Sequence, residues 1–493
     1  MLEKLAKQTA VYGISTILVR FLSYLLTPFY TRVFGPETYG IVTEVYALIP
    51  LALTLLTMGM ESSYFRFTAR VESETDDREE RRRGKERVFR TTWGSTSLAA
   101  LTFFGLVLIL AQPISDWMGA AYTSHPEYIA WVAAIVLLDV MTAIPAAKLR
   151  EENRALHFVA IKLLSVGLNV ALAFAFGLAG LFESDFGVGW VFVANFVGSL
   201  AALLALLPAT GWLWPSIDRK LLGRILCYSL PLLLGGLAGT ANEFIDRQLI
   251  KWLVPEGAMA ELGIYGAITK IAVVMMLFYQ MYRLAAEPFF LSNFKKEEFK
   301  EMNAAAMKYY LMASMLIFLA IALFRDLFAL IVGRDFREGI YILPVVLASN
   351  VLAGVWLNLS FWYKREERTS LAIVVTGAGL LVTLPAGFAL IPSLGYYGAA
   401  WMRLISELTM VGVSLYLTRR FYPTPYRWGR ILEYVATALV LYAAAEWLRG
   451  LLAEQWVTIY SLNALLFAAY GAYLVKRENI DLKGMAKSLL KRK

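Results

Sequence analysis

Apolar stretches long enough to cross a bilayer recur about fourteen times along this chain of 493 residues, from Thr9 to Val475. The connections between them are short, and the longest polar insertion, 70–90, is too small for a catalytic domain. A composition of 59% hydrophobic and 17% charged residues agrees with this pattern. The sequence therefore predicts an all-α polytopic membrane protein. Its spans fall near residues 9–31, 41–61, 91–112, 127–147, 155–177, 187–208, 226–250, 261–284, 304–324, 339–361, 369–391, 398–418, 430–450 and 456–475.

Basic residues mark every second connection, which predicts the orientation of the chain because basic loops resist translocation. With a cytoplasmic N-terminus, the even-numbered connections collect the Lys and Arg residues of 78–87, 148–154, 219–224, 295–300, 364–368 and 419–430. The opposite loops carry almost none, except 325–338, whose three arginines are balanced by three acids. We expect a multi-pass protein of the cytoplasmic (inner) membrane with both termini inside. The net charge of +9 then indicates attraction to anionic membrane lipids and not to nucleic acid.

Residues that bind metals or nucleotides are scarce. Cys227 is the only cysteine, and the two histidines, His125 and His157, lie at opposite predicted membrane faces. The sequence also lacks the G-x-x-x-x-G-K-[ST] loop of ATP-hydrolysing proteins. We expect no catalytic residues, no metal site and no cofactor.

An aromatic residue followed by glycine opens several predicted outward-facing helix starts. The motif occurs as PETYG from Pro36, LGIYG from Leu262 and LGYYG from Leu394, with a weaker copy from Asp185. These copies open the second, eighth, twelfth and sixth predicted spans, an offset of six helices that indicates two parallel halves. The predicted lobes are 1–212 (spans 1–6) and 213–420 (spans 7–12), followed by spans 13–14 and a basic tail in 421–493. Alternatively, aromatic-glycine pairs recur only because aromatic residues anchor helices at membrane interfaces.

The opening KQTAVYGISTILVRFLSYLLTPFYTRVFGPETYG resembles the first two helices of a known family. This family is the polysaccharide-exporter branch of the multidrug/oligosaccharidyl-lipid/polysaccharide (MOP) flippase superfamily, and the similarity includes Arg20, Pro28 and Tyr30. The predicted seventh helix also resembles this branch, with Asp246 and Arg247 as a charged pair. The resemblance implies two six-helix lobes around a central cavity, two extra C-terminal helices, alternating access and an undecaprenyl-diphosphate-linked oligosaccharide as substrate.

Four cations inside apolar segments are candidates for binding a diphosphate headgroup. Arg20 lies about 16 Å along its helix, too deep to reach a membrane surface easily, and a guanidinium can bind two phosphate oxygens at once. Its alternative role is a structural ion pair with Asp139. The other three candidates are Arg247, Lys270 and Arg403.

The alternative roles of these other cations are also structural. Arg247 can pair with Glu243 and Arg403 with Glu407 at the helical i,i+4 spacing. Lys270 and Arg403 follow the repeated glycine by four and five residues, and Glu44 takes the corresponding place in the second span.

Three acids are candidates for ion coupling. Outward movement of a diphosphate is favoured electrically by about 2.3 kcal/mol per charge per 100 mV, but resetting an empty basic cavity is opposed. The sequence therefore predicts proton or sodium coupling through Asp246, Glu243 or Asp139. The pathway implied by the resemblance adds membrane lipids and a polysaccharide polymerase or glycosyltransferases as partners.

Three other functions stay open at this stage. A lipid II flippase has a closely similar substrate. A cation-coupled multidrug antiporter of the same fold would favour acidic and aromatic cavity residues, which Arg20, Lys270 and Arg403 argue against. A membrane-embedded glycan polymerase or ligase usually carries a large outward loop, and every predicted outward loop is short.

Overall fold

The computed structural model describes residues 18, 21–211, 215–294, 296–368, 370–452 and 455–479, without the side chains of 234–236, 238–239, 241–243, 288 and 291–292. Every regular element in these ranges is helical. The α-helices are α1 Leu26–Val33, α2 Pro36–Thr57, α3 Met60–Glu74, α4 Arg78–Ile109, α5 Ala111–Met118, α6 Ala120–Thr123, α7 Glu127–Glu151, α8 Ala155–Leu178, α9 Gly189–Leu206, α10 Arg219–Leu253, α11 Ala258–Ile271, α12 Val273–Asn293, α13 Phe299–Ala322, α14 Arg325–Ala329, α15 Leu343–Arg365, α16 Ser370–Leu394, α17 Tyr396–Phe421, α18 Trp428–Leu451 and α19 Trp456–Arg477. Short 3-10 helices cover Leu181–Glu183, Leu207–Thr210 and Arg334–Ile342.

Within the described part of the chain, ten helical segments are long and apolar enough to cross a membrane. They are Pro36–Glu74, Arg78–Ile109, Glu127–Glu151, Ala155–Leu178, Gly189–Thr210, Phe299–Ala322, Arg334–Arg365, Ser370–Leu394, Trp428–Leu451 and Trp456–Arg477. A broken pair, Ala258–Ile271 with Val273–Glu287, brings the number to eleven if it is one span. The predicted all-α membrane fold is confirmed. The count of fourteen stays a prediction, because much of the first predicted span lies outside the described residues.

Local sequence explains the starts of α10 and α2. The carboxylate of Asp218 accepts hydrogen bonds from the backbone N–H groups of Lys220 and Leu221, each at 3.0 Å, and so caps α10. The Leu221 N–H and, after it, the Arg87 guanidinium lower the pKa of Asp218. Pro36 occupies the first turn of α2, where its missing N–H costs nothing.

Contacts divide the chain into two compact units, which we describe separately. The first unit comprises residues 1–267 and 391–396. In it, α7 packs against α4 and α9, α8 packs against α9, and α2 packs against α10. One of its hydrophobic clusters joins Met60, Tyr64, Phe89, Trp93 and Ile225.

The second unit comprises residues 268–390 and 397–493. In it, α15 packs against α12 and α13, and α13 also packs against α18 and α19. One of its hydrophobic clusters contains Phe290, Phe361 and Trp362, whose ring is stacked on Tyr422 with 5.7 Å between centroids. The predicted lobe boundaries at residues 212 and 420 stay predictions, because units defined by contacts do not have to follow a repeat in the sequence.

Two ion pairs involve charged residues of the 325–338 connection. This connection departs from the basic-inside pattern because it is an outward loop that carries three arginines. Arg325 is buried and its Nη2 lies 2.8 Å from Oε2 of Glu446 on α18. In return, Nη2 of Arg449 on α18 lies 3.2 Å from Oδ2 of Asp326. These charges therefore join α14 to α18 inside the second unit.

Gly40, the glycine of the PETYG copy, and Gly263, the first glycine of the LGIYG copy, let α2 and the first part of α11 pack backbone against backbone. A Cβ atom on Gly40 would lie 2.0 Å from the carbonyl oxygen of Met259, and one on Gly263 would lie 1.9 Å from that of Pro36. The motif tyrosines Tyr39 and Tyr265 are fully buried in this unit. Close helix packing therefore explains these two copies better than anchoring at a membrane interface does.

We expect Gly263→Ala to lower the unfolding temperature in detergent, because the added methyl group must push α2 and α11 apart, at a cost of about 1–3 kcal/mol. Gly223→Ala is the matched control: it lies in α10, and no atom comes within 4 Å of the position that its Cβ would take. Its unfolding temperature should stay unchanged or rise, since alanine favours a helix over glycine. Equal effects of the two changes, measured by tryptophan fluorescence, would show that the glycine contact does not hold these helices.

Candidate functional site

A buried ion pair joins α2 to α10 in the first unit. Nζ of Lys251 lies 2.5 Å from Oε1 of Glu44, and the two side chains are 7% and 1% exposed. The Tyr122 hydroxyl donates a hydrogen bond of 2.7 Å to Oε2 of the same carboxylate. The Gln248 amide donates to Oε1 at 3.4 Å. Both oxygens of the carboxylate are thus satisfied, as a charge buried at this depth requires.

Aromatic rings complete the surroundings of Lys251. Its Nζ lies 5.0 Å from the ring centroid of Tyr122 and 5.4 Å from that of Trp252. A cation this close to aromatic faces gains further electrostatic stabilisation. Glu44 was expected at the position of the second span that corresponds to Lys270 and Arg403, whereas Lys251 was not among the predicted residues. The signal was present, since Lys251 is the first residue after the apolar window 226–250.

A second polar cluster of the first unit surrounds Asp246, which is 3% exposed. Its Oδ1 lies 3.2 Å from Nη1 of Arg247, and its Oδ2 accepts a 2.7 Å hydrogen bond from the Tyr265 hydroxyl. The side chain of Glu243, the predicted partner of Arg247, falls outside the described part of the chain, and so does Arg20. Among the described residues, Arg247 forms an ion pair with the neighbouring acid Asp246.

Asp139, the third coupling candidate, lies where α7, α8 and α9 meet. Its carboxylate interacts with the Ser199 hydroxyl on α9 and electrostatically with Lys162 on α8. The expected alternative, a pair between Asp139 and Arg20, falls outside the described residues. Lys162 and Ser199 are partners that the sequence analysis did not connect with Asp139.

The remaining predicted cations, Lys270 and Arg403, lie in the second unit. Nη2 of Arg403 donates a 3.2 Å hydrogen bond to Oδ1 of Asn350 on α15. The amide of Asn350 donates in turn to the carbonyl oxygen of Ala272, at 3.4 Å, where α11 ends and α12 begins. A neutral amide therefore helps to orient the Arg403 guanidinium. Lys270 is half-buried.

Two further cations of the second unit share one acid. Nε of Arg283 on α12 lies 3.5 Å from Oε1 of Glu287, and Nζ of Lys364 on α15 lies 2.9 Å from the same oxygen. The Arg283 side chain is 54% exposed. This arginine was not among the predicted residues, although it lies inside the apolar window 261–284, where a charge is costly and usually functional.

The second unit thus carries the cations Lys270, Arg283, Lys364 and Arg403 on or next to its membrane-associated helices. Arg247 belongs to the first unit, so the predicted binding residues are divided between the two units. Among the described residues, no group of three or more His, Cys, Asp or Glu side chains is arranged to hold a metal ion.

The Glu44–Lys251 pair gives a test of the first unit. Lys251→Met leaves the Glu44 carboxylate buried without its cation, so we expect a loss of about 3–5 kcal/mol in the free energy of unfolding. Glu44→Gln/Lys251→Met removes both charges and should recover most of that loss. Thermal unfolding of the three proteins in the same detergent measures both effects. If the double variant were as unstable as the single one, the charges themselves would not explain the loss.

Solved structures with the same fold are membrane transporters. The chain is similar to the lipid II flippase MurJ in an inward closed conformation, with a TM-score of 0.75 and 12% identity over 96% of this chain and 100% of that one. It is also similar to an inward-facing MATE family multidrug transporter of the MOP superfamily, with a TM-score of 0.67 and 16% identity over 82% of this chain and 94% of that one. A MOP superfamily transporter from Pyrococcus furiosus gives a TM-score of 0.53 and 17% identity over 85% and 94% of the two chains.

The fold is therefore that of the MOP superfamily, as the resemblance implied. Residues 5–294 match the family described as polysaccharide biosynthesis protein, and the chain belongs to that family. No curated protein matches the chain in sequence.

Proposed function

We propose that this protein is a flippase that moves an undecaprenyl-diphosphate-linked oligosaccharide, an O-antigen or exopolysaccharide repeat unit, across the cytoplasmic membrane. The observation that carries the proposal is the set of cations on α11, α12, α15 and α17, described above. Ionisable residues in membrane helices are costly and mark substrate pathways. A polysaccharide biosynthesis protein with the MOP fold and such cations is suited to an anionic lipid-linked glycan.

The binding residues we propose are the four predicted cations, Arg20, Arg247, Lys270 and Arg403, together with Arg283. Arginine can donate two parallel hydrogen bonds to a diphosphate, whereas lysine acts as a point charge. Arg403 is supported by its bond to the Asn350 amide, which limits the directions that its guanidinium can take. Arg283 is supported by its exposure, and it would release part of its contact with Glu287 when the headgroup binds.

Alternating access is the mechanism we propose for the transfer. The headgroup enters a cavity open to the cytoplasm, and a rearrangement of the helices then opens that cavity to the opposite side. Neither step breaks a covalent bond, so the protein needs no catalytic residue. A polysaccharide polymerase or glycosyltransferases would act before or after it on the same carrier lipid.

Proton or sodium coupling belongs to this proposal, with Asp139, Asp246 and Glu243 as its candidates. Asp139 is supported by its position between Lys162 and Ser199, where a change in its protonation changes the net charge of a membrane-embedded cluster. Asp246 is already engaged by a cation and a hydroxyl, those of Arg247 and Tyr265. Asp139 is therefore the stronger candidate.

Transport of a fluorescent undecaprenyl-diphosphate oligosaccharide in proteoliposomes tests the substrate. We expect Arg403→Gln to reduce the initial rate by about tenfold or more, since a charge-assisted hydrogen bond contributes about 1.5–3 kcal/mol. Arg420→Gln is the matched control, because Arg420 is an exposed arginine at the end of the same helix. A normal rate for folded Arg403→Gln would remove Arg403 from the binding site.

The same vesicles distinguish the alternative substrates. Lipid II and a cationic dye are offered in place of the oligosaccharide lipid, at equal concentration. Faster movement of lipid II would assign the protein to peptidoglycan synthesis, and dye movement alone would favour a multidrug antiporter.

An imposed gradient tests the coupling ion. We expect Asp139→Asn to abolish the acceleration that a proton or sodium gradient gives the wild-type protein, while slow gradient-independent transport continues. Asp246→Asn serves as the comparison, since it removes a charge from the other cluster of the first unit. Gradient dependence that persists in Asp139→Asn but disappears in Asp246→Asn would assign the ion coupling to Asp246 and not to Asp139.

A further inference from the structure

Aromatic rings and cations form a cluster at one end of the second unit, where α13 begins and α15 and α17 end. We call it the aromatic-basic cluster, and it consists of Phe299, Lys300, Arg365, Arg368, Phe421 and Tyr422. These residues come from three separate segments of the chain. The fold, and not a local run of basic sequence, therefore brings the cations together.

Each cation of the cluster lies close to an aromatic ring. Nζ of Lys300 is 4.6 Å from the ring centroid of Tyr422. Cζ of Arg365 is 4.8 Å from the ring centroid of Phe299 and 5.7 Å from that of Tyr422, whose hydroxyl accepts a hydrogen bond from the same guanidinium. Cζ of Arg368 is 5.6 Å from the ring centroid of Phe421. Such contacts hold the cations in place but leave their charge uncompensated.

Carboxylates do not compensate this charge either. None of the three cations forms an ion pair with a carboxylate of the residues that the structure describes. The acids Glu301 and Glu366 act electrostatically on the Tyr422 hydroxyl, but both are exposed and neither pairs with a cation of the cluster. Lys300 and Arg365 are half-buried, so water can hydrate them only in part. The cluster therefore offers an anion a positive charge in excess.

The basic run 78–87 of the first unit has the opposite character. Carboxylates pair with four of its cations, Arg82, Arg83, Lys85 and Arg87. Nη2 of Arg82 and Nε of Arg83, for example, lie 2.9 and 3.1 Å from Oε1 of Glu79. The density of basic residues along the sequence therefore does not indicate where an anion finds uncompensated charge.

Packing fixes the rings that carry the cations. Phe299 is fully buried and Tyr422 is 8% exposed. The Tyr422 ring is stacked on Trp362, whose indole N–H donates a 2.9 Å hydrogen bond to Oγ1 of Thr418. A cation site built on such rings is preorganised, so an anion can bind with little further loss of conformational entropy.

The cluster lies at the level where membrane-spanning segments end. The span Phe299–Ala322 begins at it, and the span Arg334–Arg365 stops at it. The polar headgroups of lipids lie just beyond the apolar core that such spans cross. In the predicted topology this end is cytoplasmic, where the leaflet contains anionic phospholipids.

We propose that the aromatic-basic cluster binds the headgroup phosphates of an anionic phospholipid. Arg365 has donors beyond the one that Tyr422 uses, Arg368 can bind phosphate oxygens in pairs, and Lys300 adds a point charge. Three cations exceed the single charge of one phosphodiester, which favours a lipid with two phosphates, such as cardiolipin. A lipid bound there would connect the ends of α13, α15 and α17. The inference does not depend on the substrate that the protein transports.

Native mass spectrometry of the purified full-length protein measures the binding of lipids. We expect cardiolipin to bind more tightly than phosphatidylglycerol, and phosphatidylethanolamine to bind weakly. Lys300→Gln/Arg365→Gln should weaken cardiolipin binding by about tenfold or more, because each cation near the membrane surface adds to the attraction. Arg82→Gln/Arg83→Gln is the matched control: it removes the same net charge, but from arginines that are already paired, and should leave the affinity nearly unchanged. Equal effects of the two double variants would overturn the inference.

Soluble pyrophosphate and polyprenyl diphosphate distinguish the possible sources of the phosphate. We expect pyrophosphate to compete only weakly with cardiolipin, because no apolar chains hold it at the level of the cluster. Competition as strong as that of unlabelled cardiolipin would assign the cluster to a soluble ligand and contradict the assignment to a phospholipid. Displacement of cardiolipin by a far lower concentration of polyprenyl diphosphate would contradict it too, in favour of a carrier lipid.

The wild-type protein provides a readout that does not depend on the folding of a variant. In proteoliposomes, a cardiolipin with a diazirine next to its headgroup should label residues 299–300, 365–368 and 421–422. Unlabelled cardiolipin should compete that label away, and Arg365→Lys, which keeps the charge, should retain it. Label confined to other parts of the chain would show that the cluster is not the binding site.

Discussion

The cost of a charge in an apolar environment is the constraint on which this structure depends. Glu44 and Lys251 illustrate it: the carboxylate receives a cation, a phenol and an amide, and the pair is almost fully enclosed. Such a pair contributes little net free energy when intact, but it is strongly destabilising when one partner is removed. It therefore fixes which residues of α2 and α10 face each other more than it stabilises the fold.

The charges of the candidate site have several kinds of partner. In the first unit, Asp246 and Glu44 are each matched by a cation and a tyrosine hydroxyl. In the second unit, Arg403 donates to a neutral amide, and Arg283 shares the carboxylate of Glu287 with a lysine. An acid matched by a cation and a hydroxyl is typical of a structural pair, and two cations on one acid carry a positive charge in excess. The excess positive charge beside Glu287 is why Arg283 is included among the proposed headgroup-binding residues.

The helical membrane fold could be predicted because apolar length and basic loops are properties of contiguous sequence. The residues of the candidate site were harder to predict, since their partners are distant in sequence. Lys251 pairs with a residue 207 positions away, and nothing local indicates this. Arg283 is different, because an isolated arginine in an apolar window was visible and was overlooked. The packing roles of Gly40 and Gly263 could not be predicted from the sequence, because they depend on the positions of the opposing carbonyl oxygens in the folded chain.

The enclosure of the Glu44–Lys251 pair also has a thermodynamic consequence. If α2 and α10 separate at any stage of a working cycle, two charges that are 1% and 7% exposed must each acquire a hydration shell. Hydration of ions carries a strongly negative entropy. The equilibrium of that step would therefore shift with temperature and with water activity, so that excluded osmolytes and heating would both favour the closed pair.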